Sequence, residues 1–410
     1  MNKPIDLPVH DFDDEDSNTS ANPTFESVLS ARLSRRNILR GGLGTAATAV
    51  LGGMSLAACG GGDDAPAPTA PAGPTETLLG FAAVAKSLED KVSVPAGYTA
   101  SVLIAVGDPL AAGVAAHRND GTDAGYDQRC GDDHDGMEYF GLSAAGAPDP
   151  ASNDRALLGI NHEYINVLFL HVNGPSAAPR PASEVDIEVD CHGVTIVEIA
   201  KTAGKFAYVQ NSGFNRRITG ATEIEISGPV RGHALAVTKF STTGTRTRGT
   251  LNNCGTGKTP WGTLLTGEEN WAGYYFRAAG DQALRTAKAN TALARYGRNV
   301  TATAAAASRY GWESAGTEDK YARWNTSVTG TSSDGSDDYR HEVNLQGYIT
   351  EIDPYSATSV IKKRTALGRV AHESAAFSKP VVGKPLAIYM GDDARNEYIY
   401  KFVTAQNWVA

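Results

Sequence analysis

Four segments of the chain end a short apolar run in a pair of polar residues able to bind metal. They read Leu157-Leu158-Gly159-Ile160-Asn161-His162-Glu163, Leu264-Leu265-Thr266-Gly267-Glu268-Glu269-Asn270, Arg369-Val370-Ala371-His372-Glu373 and Ala387-Ile388-Tyr389-Met390-Gly391-Asp392-Asp393. The front half of each reads as a short buried strand. The back half sets His, Glu or Asp at the strand's exit. A fold that carries equivalent strand ends to one place would gather these side chains, and oxygen-rich clusters of that kind hold hard cations such as calcium. The expectation is a metal site assembled from repeated structural units.

From about Tyr98 the rest of the chain repeats this texture: short apolar runs broken by Gly, Asn, Asp and Pro. Residues 101–106, 193–199, 205–209, 234–238, 347–352 and 397–403 read as strands, rich in Val, Ile, Tyr and Thr. Residues 279–294, dominated by Ala, Leu, Arg and Lys, form the best helix candidate. Many short strands with turns between them suggest a sandwich, barrel or propeller. Recurring strand-then-acid segments favour the propeller, whose innermost strands surround one axis, although no fixed-period repeat is present. The expected fold class is all-β, propeller-like, with short helical insertions. Residues 299–338, rich in Ala, Ser, Thr, Gly and Asp, read as a long surface insertion that Trp312 and Trp324 pin to the body.

The N-terminus reads as an address. Ser34-Arg35-Arg36-Asn37-Ile38-Leu39 is a twin-arginine motif, followed by an apolar Gly/Ala stretch at 41–58 that is too weakly hydrophobic for a membrane span. Leu56-Ala57-Ala58-Cys59 resembles a lipoprotein cleavage box; the alternative is an ordinary signal peptide cut near the same small residues. The expected organisation is a signal region at 1–59, a Gly/Asp/Ala/Pro tether at 60–77 and a folded domain at 78–410. Export by the twin-arginine translocase would place the protein in the periplasm or outside the cell, with a lipid anchor at Cys59 as one outcome. A net charge of −9 argues against nucleic acid as a partner and suits an exported cation binder.

Individual residues divide between chemistry and plain structure. Glu268 and Glu269 follow an apolar strand; adjacent strand residues point to opposite faces, so both reach one centre only where the strand ends or bulges. His162-Glu163 and His372-Glu373 repeat one dipeptide, offering nitrogen to a transition metal or oxygen to iron or calcium. Cys254, in a loop before a strand, could bind a thiophilic metal as thiolate or be an inert buried thiol. Residues 131–136, Gly-Asp-Asp-His-Asp-Gly, resemble half a calcium loop and read as a solvated acidic turn, lacking the distant Glu of an EF-hand. Gly255-Thr256-Gly257-Lys258-Thr259 is no P-loop, because Asn252 stands where the first Gly is required and a strand follows. No Gly-x-Ser-x-Gly elbow occurs. The four cysteines match no zinc spacing, and Cys130 with Cys191 is a candidate disulfide.

These strings together resemble the PhoX-type alkaline phosphatases. The likeness rests on Asn161-His162-Glu163-Tyr164, His192-Gly193-Val194, Asn215-Arg216-Arg217-Ile218-Thr219-Gly220, Asn252-Asn253-Cys254, Thr259-Pro260-Trp261-Gly262-Thr263, Glu268-Glu269-Asn270, Glu351-Ile352-Asp353-Pro354, 364–369, Met390-Gly391-Asp392-Asp393 and 397–402. It runs from about Tyr98 to Thr404. The resemblance implies a β-propeller phosphatase with an oxo-bridged cluster of calcium and ferric iron that cleaves phosphomonoesters to inorganic phosphate. Cys254 would be the thiolate on iron, and Glu163, Glu268, Glu269, Glu373 and Asp392 the carboxylates of the cluster. Arg369 and Arg395 would clamp the phosphoryl oxygens. Gly267 stands where relatives often carry a Cys. Relatives also continue past the position of Ala410 with segments that supply ligands and close the propeller, so a truncated chain is expected.

The leading expectation is an exported, metal-dependent phosphomonoesterase acting as a monomer on small phosphoesters. The rivals are a phosphodiesterase using the same cluster and a non-catalytic, calcium-stabilised propeller that binds a ligand at the cell envelope.

Overall fold

Strands β2 (Arg155–His162) and β3 (Gly193–Thr202) are apolar on successive residues because both their faces are covered. Leu157, Val194 and Ile196 pack on one side with Phe140, Leu264 and Ile352, while Ala156, Ile160 and Val197 pack on the other with Ile104 and Leu110. This is a computed structural model, and it describes residues 81–410. The twin-arginine string, Cys59 and the tether at 60–77 lie outside the described residues. Leu103–Ala410 belong to one body, and the stretch before it, up to Val102, to a second.

Three sheets make up the larger body. In the first, β1 (His134–Gly141), β2, β3 and β4 (Lys205–Tyr208) pair antiparallel in that order, with β5 (Arg216–Ile218) also on β3. The second contains β6 (Glu223–Ser227), β7 (Arg246–Arg248), β8 (Asn253–Lys258), β9 (Leu264–Glu268), β10 (Ile349–Ile352) and β11 (Lys362–Arg364), ordered β7-β6-β11-β10-β9-β8. Only its β11–β6 pair is parallel. The third holds β12 (Ala376–Phe377), β13 (Pro385–Gly391) and β14 (Ile399–Asn407). The architecture is mostly β, with few helices and no closed barrel among the described residues.

Helices are short: α1 (Val167–Leu170), α2 (Ala182–Cys191), α3 (Ala287–Ala294) and α4 (Asp319–Ala322). The helix expected over 279–294 is a 3₁₀ turn at Asp281–Leu284 followed by α3, because Thr286 starts a new helix by accepting from the Ala289 N–H at 3.2 Å. The strand expected at 234–238 is a 3₁₀ turn, Ala234–Ala236, capped by the His233 side chain. The segment expected as a strand at 101–106 is irregular, runs into a turn at 106–107 and joins no sheet. Trp312 and Trp324, from the supposed surface insertion, are fully buried with Trp271, Tyr274 and Tyr275 in the largest apolar cluster. The two tryptophans anchor the segment as expected, and the burial is deeper than a surface insertion implies.

Cys130 and Cys191 are buried free thiols rather than a disulfide.

Candidate metal centre

The four strand-end pairs do converge, and one rule sorts them. In three of them the first residue is buried in the fold, in the fourth Asp392 is half-buried and tied to backbone N–H groups, and in each the second points to a shared site. His162 is buried, bonded to the Asp132 carbonyl at 2.8 Å through Nδ1 and to Thr195 Oγ1 at 2.7 Å through Nε2. Glu268 is buried with the Lys363 ammonium at 2.8 Å, and its carboxylate also accepts from the Gly347 and Tyr348 N–H groups. His372 is buried against the Gly368 carbonyl at 3.2 Å. Asp392 Oδ1 accepts from the Ala371 and Ala394 N–H groups. Their successors Glu163, Glu269, Glu373 and Asp393 face the site, as strand alternation requires.

Backbone pairing supplies the convergence. The His372 N–H donates to the Glu268 carbonyl at 3.0 Å, the Asp393 N–H to the Ala371 carbonyl at 3.1 Å, and His372 and Asp392 form an isolated bridge. Three strand ends therefore lie side by side, which places Glu269, Glu373 and Asp393 with ligand atoms within 4.8 Å of one another. Gly267 makes the approach possible: a Cβ there would sit 2.5 Å from the His372 carbonyl oxygen. A bare backbone at that point is thus a packing requirement of this chain.

A second triad, Asp135, Glu163 and Cys254, meets the same 4.8 Å criterion. Asp135 sits where the β1–β2 register slips between His134 and Met137, and Cys254 where β8–β9 slips between Asn253 and Thr256. Such irregularities re-aim side chains. Two asparagines join the triads. Asn161, fully buried, donates from Nδ2 to the Cys254 carbonyl. Asn252, at φ 50°, donates to the Glu163 carbonyl at 2.8 Å, accepts from the Asn270 N–H at 2.6 Å and receives the Glu269 N–H on its own carbonyl at 3.0 Å.

The electrostatics are those of an acid cluster short of positive charge. Burial, with Asp393 and Glu163 beside it, pushes the Glu269 carboxyl up to about 9. Burial also raises Glu163, with Asp135 adding to the effect, and raises Glu373, with Asp393 the next cause. The Cys254 thiol is pushed up by burial and by Asp135, Glu269 and Glu163. Carboxyls in mutual hydrogen-bond contact need a proton or a cation between them. The donor set fits metal: carboxylate oxygens suit calcium, and a thiolate suits a thiophilic transition ion.

Of the residues singled out from sequence, Glu163, Cys254, Glu269 and Glu373 come together here. Glu268 lies outside the group, committed to Lys363. Asp392 lines the adjoining cleft but is held by backbone, and burial raises it to about 6. Arg369 stacks its guanidinium on Tyr296 and Trp271, at 4.8 and 5.2 Å from the ring centres, and Arg395 is exposed. Neither stands in the cleft lining. Sequence reasoning passed over Asp135, dismissed within a solvated turn, and Asp393, the other member of a pair already marked.

A cleft opens beside this cluster, lined by Glu269, Asp393, Tyr296, Arg295, Arg298 and Arg309 among others. Arg295 pairs with Glu397 at 2.8 Å, and Arg298 donates to the Tyr275 and Ala307 carbonyls.

Strand-end carboxylates and a thiol beside an open cleft make a candidate metal site. The chain belongs to the PhoX alkaline phosphatase family, whose model matches residues 79–410. Among solved structures it is similar to Pseudomonas fluorescens PhoX in complex with vanadate, a transition-state analogue, at 35% identity and a TM-score of 0.68. That match covers 81% of this chain and 51% of the other, so the chain spans about half the length of that relative. Comparison with curated protein sequences gave no match.

Proposed function

We propose that the protein is an exported, metal-dependent phosphomonoesterase that releases inorganic phosphate from small phosphoesters. The observation that carries this reading is the junction of two triads, Asp135–Glu163–Cys254 and Glu269–Glu373–Asp393, beneath a cleft in a chain of the PhoX family. Those six residues would hold the ions. Calcium on the carboxylates and ferric iron at Cys254 match the donor types.

Five carboxylates and a thiol would repel a phosphate dianion. Bound cations would invert the sign of the site, neutralise the phosphoryl oxygens and activate the attacking water. The chain's own part is positional. Asn252 and Asn161 fix the backbones that carry Glu163, Glu269 and Cys254, and the buried pair Glu268–Lys363 anchors the strand end beneath them. In the net reaction one water and one phosphomonoester give one alcohol and one phosphate, and the cleft gives the alcohol an exit.

Three mostly antiparallel sheets whose strand ends meet at one locus support a propeller-like arrangement of blades. The twin-arginine string supports export to the periplasm or beyond, with Cys59 available for lipidation and a monomeric enzyme as the working form. The test is hydrolysis of p-nitrophenyl phosphate at alkaline pH by the full chain loaded with calcium and iron. Turnover abolished by a chelator and restored by the ions is expected. A folded, metal-loaded protein without turnover would refute the reading.

A further inference from the structure

We propose that Arg309 is the residue that grips the phosphoryl group, donating from Nη1 to a non-bridging oxygen of a phosphomonoester held above the acid cluster. This rests on the phosphatase reading for the identity of the ligand and on four observations for the residue.

First, Arg309 lines the cleft together with Glu269 and Asp393, two members of one acid triad. Second, Nη1 is buried and has no hydrogen-bond partner. An unpaired guanidinium N–H away from water is costly, and the cost is relieved by an anion in the cleft. Third, Arg277 and Arg285 are paired with Asp281, Arg323 with Glu342 and Arg180 with Glu188, while Arg216, Arg217 and Arg248 donate to carbonyls and hydroxyls. No carboxylate lies within ion-pair distance of Arg309 among the described residues.

Fourth, the group is held ready without being neutralised. Its guanidinium carbon lies 5.2 Å from the Tyr274 ring centre and 6.0 Å from that of Tyr164. The backbone N–H of Arg309 donates to the Gly273 carbonyl at 2.8 Å, which fixes the chain there and leaves the guanidinium N–H groups uncommitted to it. Gly273 leaves the space beside it open, since a Cβ there would meet Nη2 at 3.4 Å. Aromatic faces orient a cation while leaving its outward N–H groups available. Arg295 and Arg298 face the same cleft but are engaged by Glu397 and by carbonyls. The geometry therefore assigns the phosphoryl contact to Arg309 in place of Arg369 or Arg395.

The test compares wild type, Arg309→Lys and Gly273→Val as full chains loaded with calcium and iron. The primary readout is inorganic phosphate affinity by equilibrium dialysis, which needs no turnover; metal content and the unfolding midpoint are measured alongside. Arg309→Lys keeps the charge and loses the planar fork, so phosphate affinity should fall at least tenfold with metal content unchanged. On p-nitrophenyl phosphate, kcat/KM should fall by about 10²–10³-fold, as when one oxyanion donor is removed. Gly273→Val crowds the same guanidinium from the side and should weaken phosphate binding severalfold, which keeps the test decisive if Arg309→Lys does not fold. Unchanged phosphate affinity in the folded variants, or a loaded wild type that binds no phosphate, would overturn the assignment. Phosphate bound through Arg309 without ester hydrolysis would instead leave the assignment standing and remove the phosphatase reading.

Discussion

Glu268 and Lys363 form an ion pair at 2.8 Å with both side chains wholly buried, one residue away from Glu269, which opens onto the acid cluster. Two neighbouring glutamates thus have opposite tasks. Lys363 also donates to the Leu345 carbonyl and the Gln346 side chain, so it depends on Glu268 for its only carboxylate among the described residues.

Glu268→Gln should leave a buried ammonium uncompensated and cost about 3–5 kcal/mol of stability. Glu269→Gln should instead remove one acid from a crowded cluster, leaving the metal-free protein as stable as before or more so, while metal binding fails. Denaturant unfolding and metal analysis on the same two proteins separate the roles; equal destabilisation of both would contradict the assignment.

The fourth pair allows the same comparison. Asp393→Asn should lower metal occupancy sharply. Asp392→Asn, which keeps an oxygen for the Ala371 and Ala394 N–H groups, should cost about 1 kcal/mol or less and retain the ions. Elemental analysis after dialysis decides between them, and the reverse order would mean the alternation runs the other way at this strand.

Cys254→Ala removes the only thiol of the two triads. Any visible charge-transfer band of the iron-loaded protein should vanish. Turnover should fall by more than about 100-fold, beyond the roughly 10–100-fold typical of outer-shell changes. A coloured, active Cys254→Ala protein would place iron elsewhere.

Stability should depend on pH in a direction set by Glu269. Its folded-state value of about 9 lies above the ordinary carboxylate value of 4.5, so the unfolded chain loses its proton first as pH rises. The contribution is fully present below about 4.5 and is lost progressively up to about 9. Chelated protein should therefore melt at lower temperature as pH increases through that window, and calcium should reverse the trend by replacing protons. A melting temperature of the chelated protein that climbs from pH 5 to 9 would show that this acid is not protonated in the fold.

Gly267→Ala should be poorly tolerated, because its Cβ would meet two carbonyl oxygens, of His372 at 2.5 Å and Glu373 at 3.0 Å, which no rotamer change can relieve. A loss of about 1–3 kcal/mol is expected, with weaker metal binding because Glu373 is displaced. Unaltered melting and metal affinity would mean that the strand has room to shift.

The sequence made the strand exits legible, since apolar runs ending in acids are a local pattern. It left the phase of alternation undetermined, because that depends on which face of the sheet meets its neighbour. Glu163, Glu269 and Glu373 are the ones that converge; Asp393, beside the marked Asp392, joins them. Asp135 escaped because it reaches the cluster through strand pairing and a register slip rather than through any calcium-loop spacing. Arg309 sits in a Ser/Ala-rich stretch where nothing local marks a binding residue, and the Trp312 and Trp324 contacts that build its surroundings are long-range. The 3₁₀ turn at Ala234–Ala236 shows the other limit, since a run of four apolar residues is too short for its period to be read.

Asn252 gives the site a wider meaning. It fastens the exit of β2 to the exit of β9, two strands from sheets that share no ladder. The six donors consequently work as a gauge of how the sheets are seated on one another. A substitution far from the cluster that slid one sheet by about half an ångström would spoil coordination while leaving every strand intact. Such a variant would look native by circular dichroism and stand empty of iron.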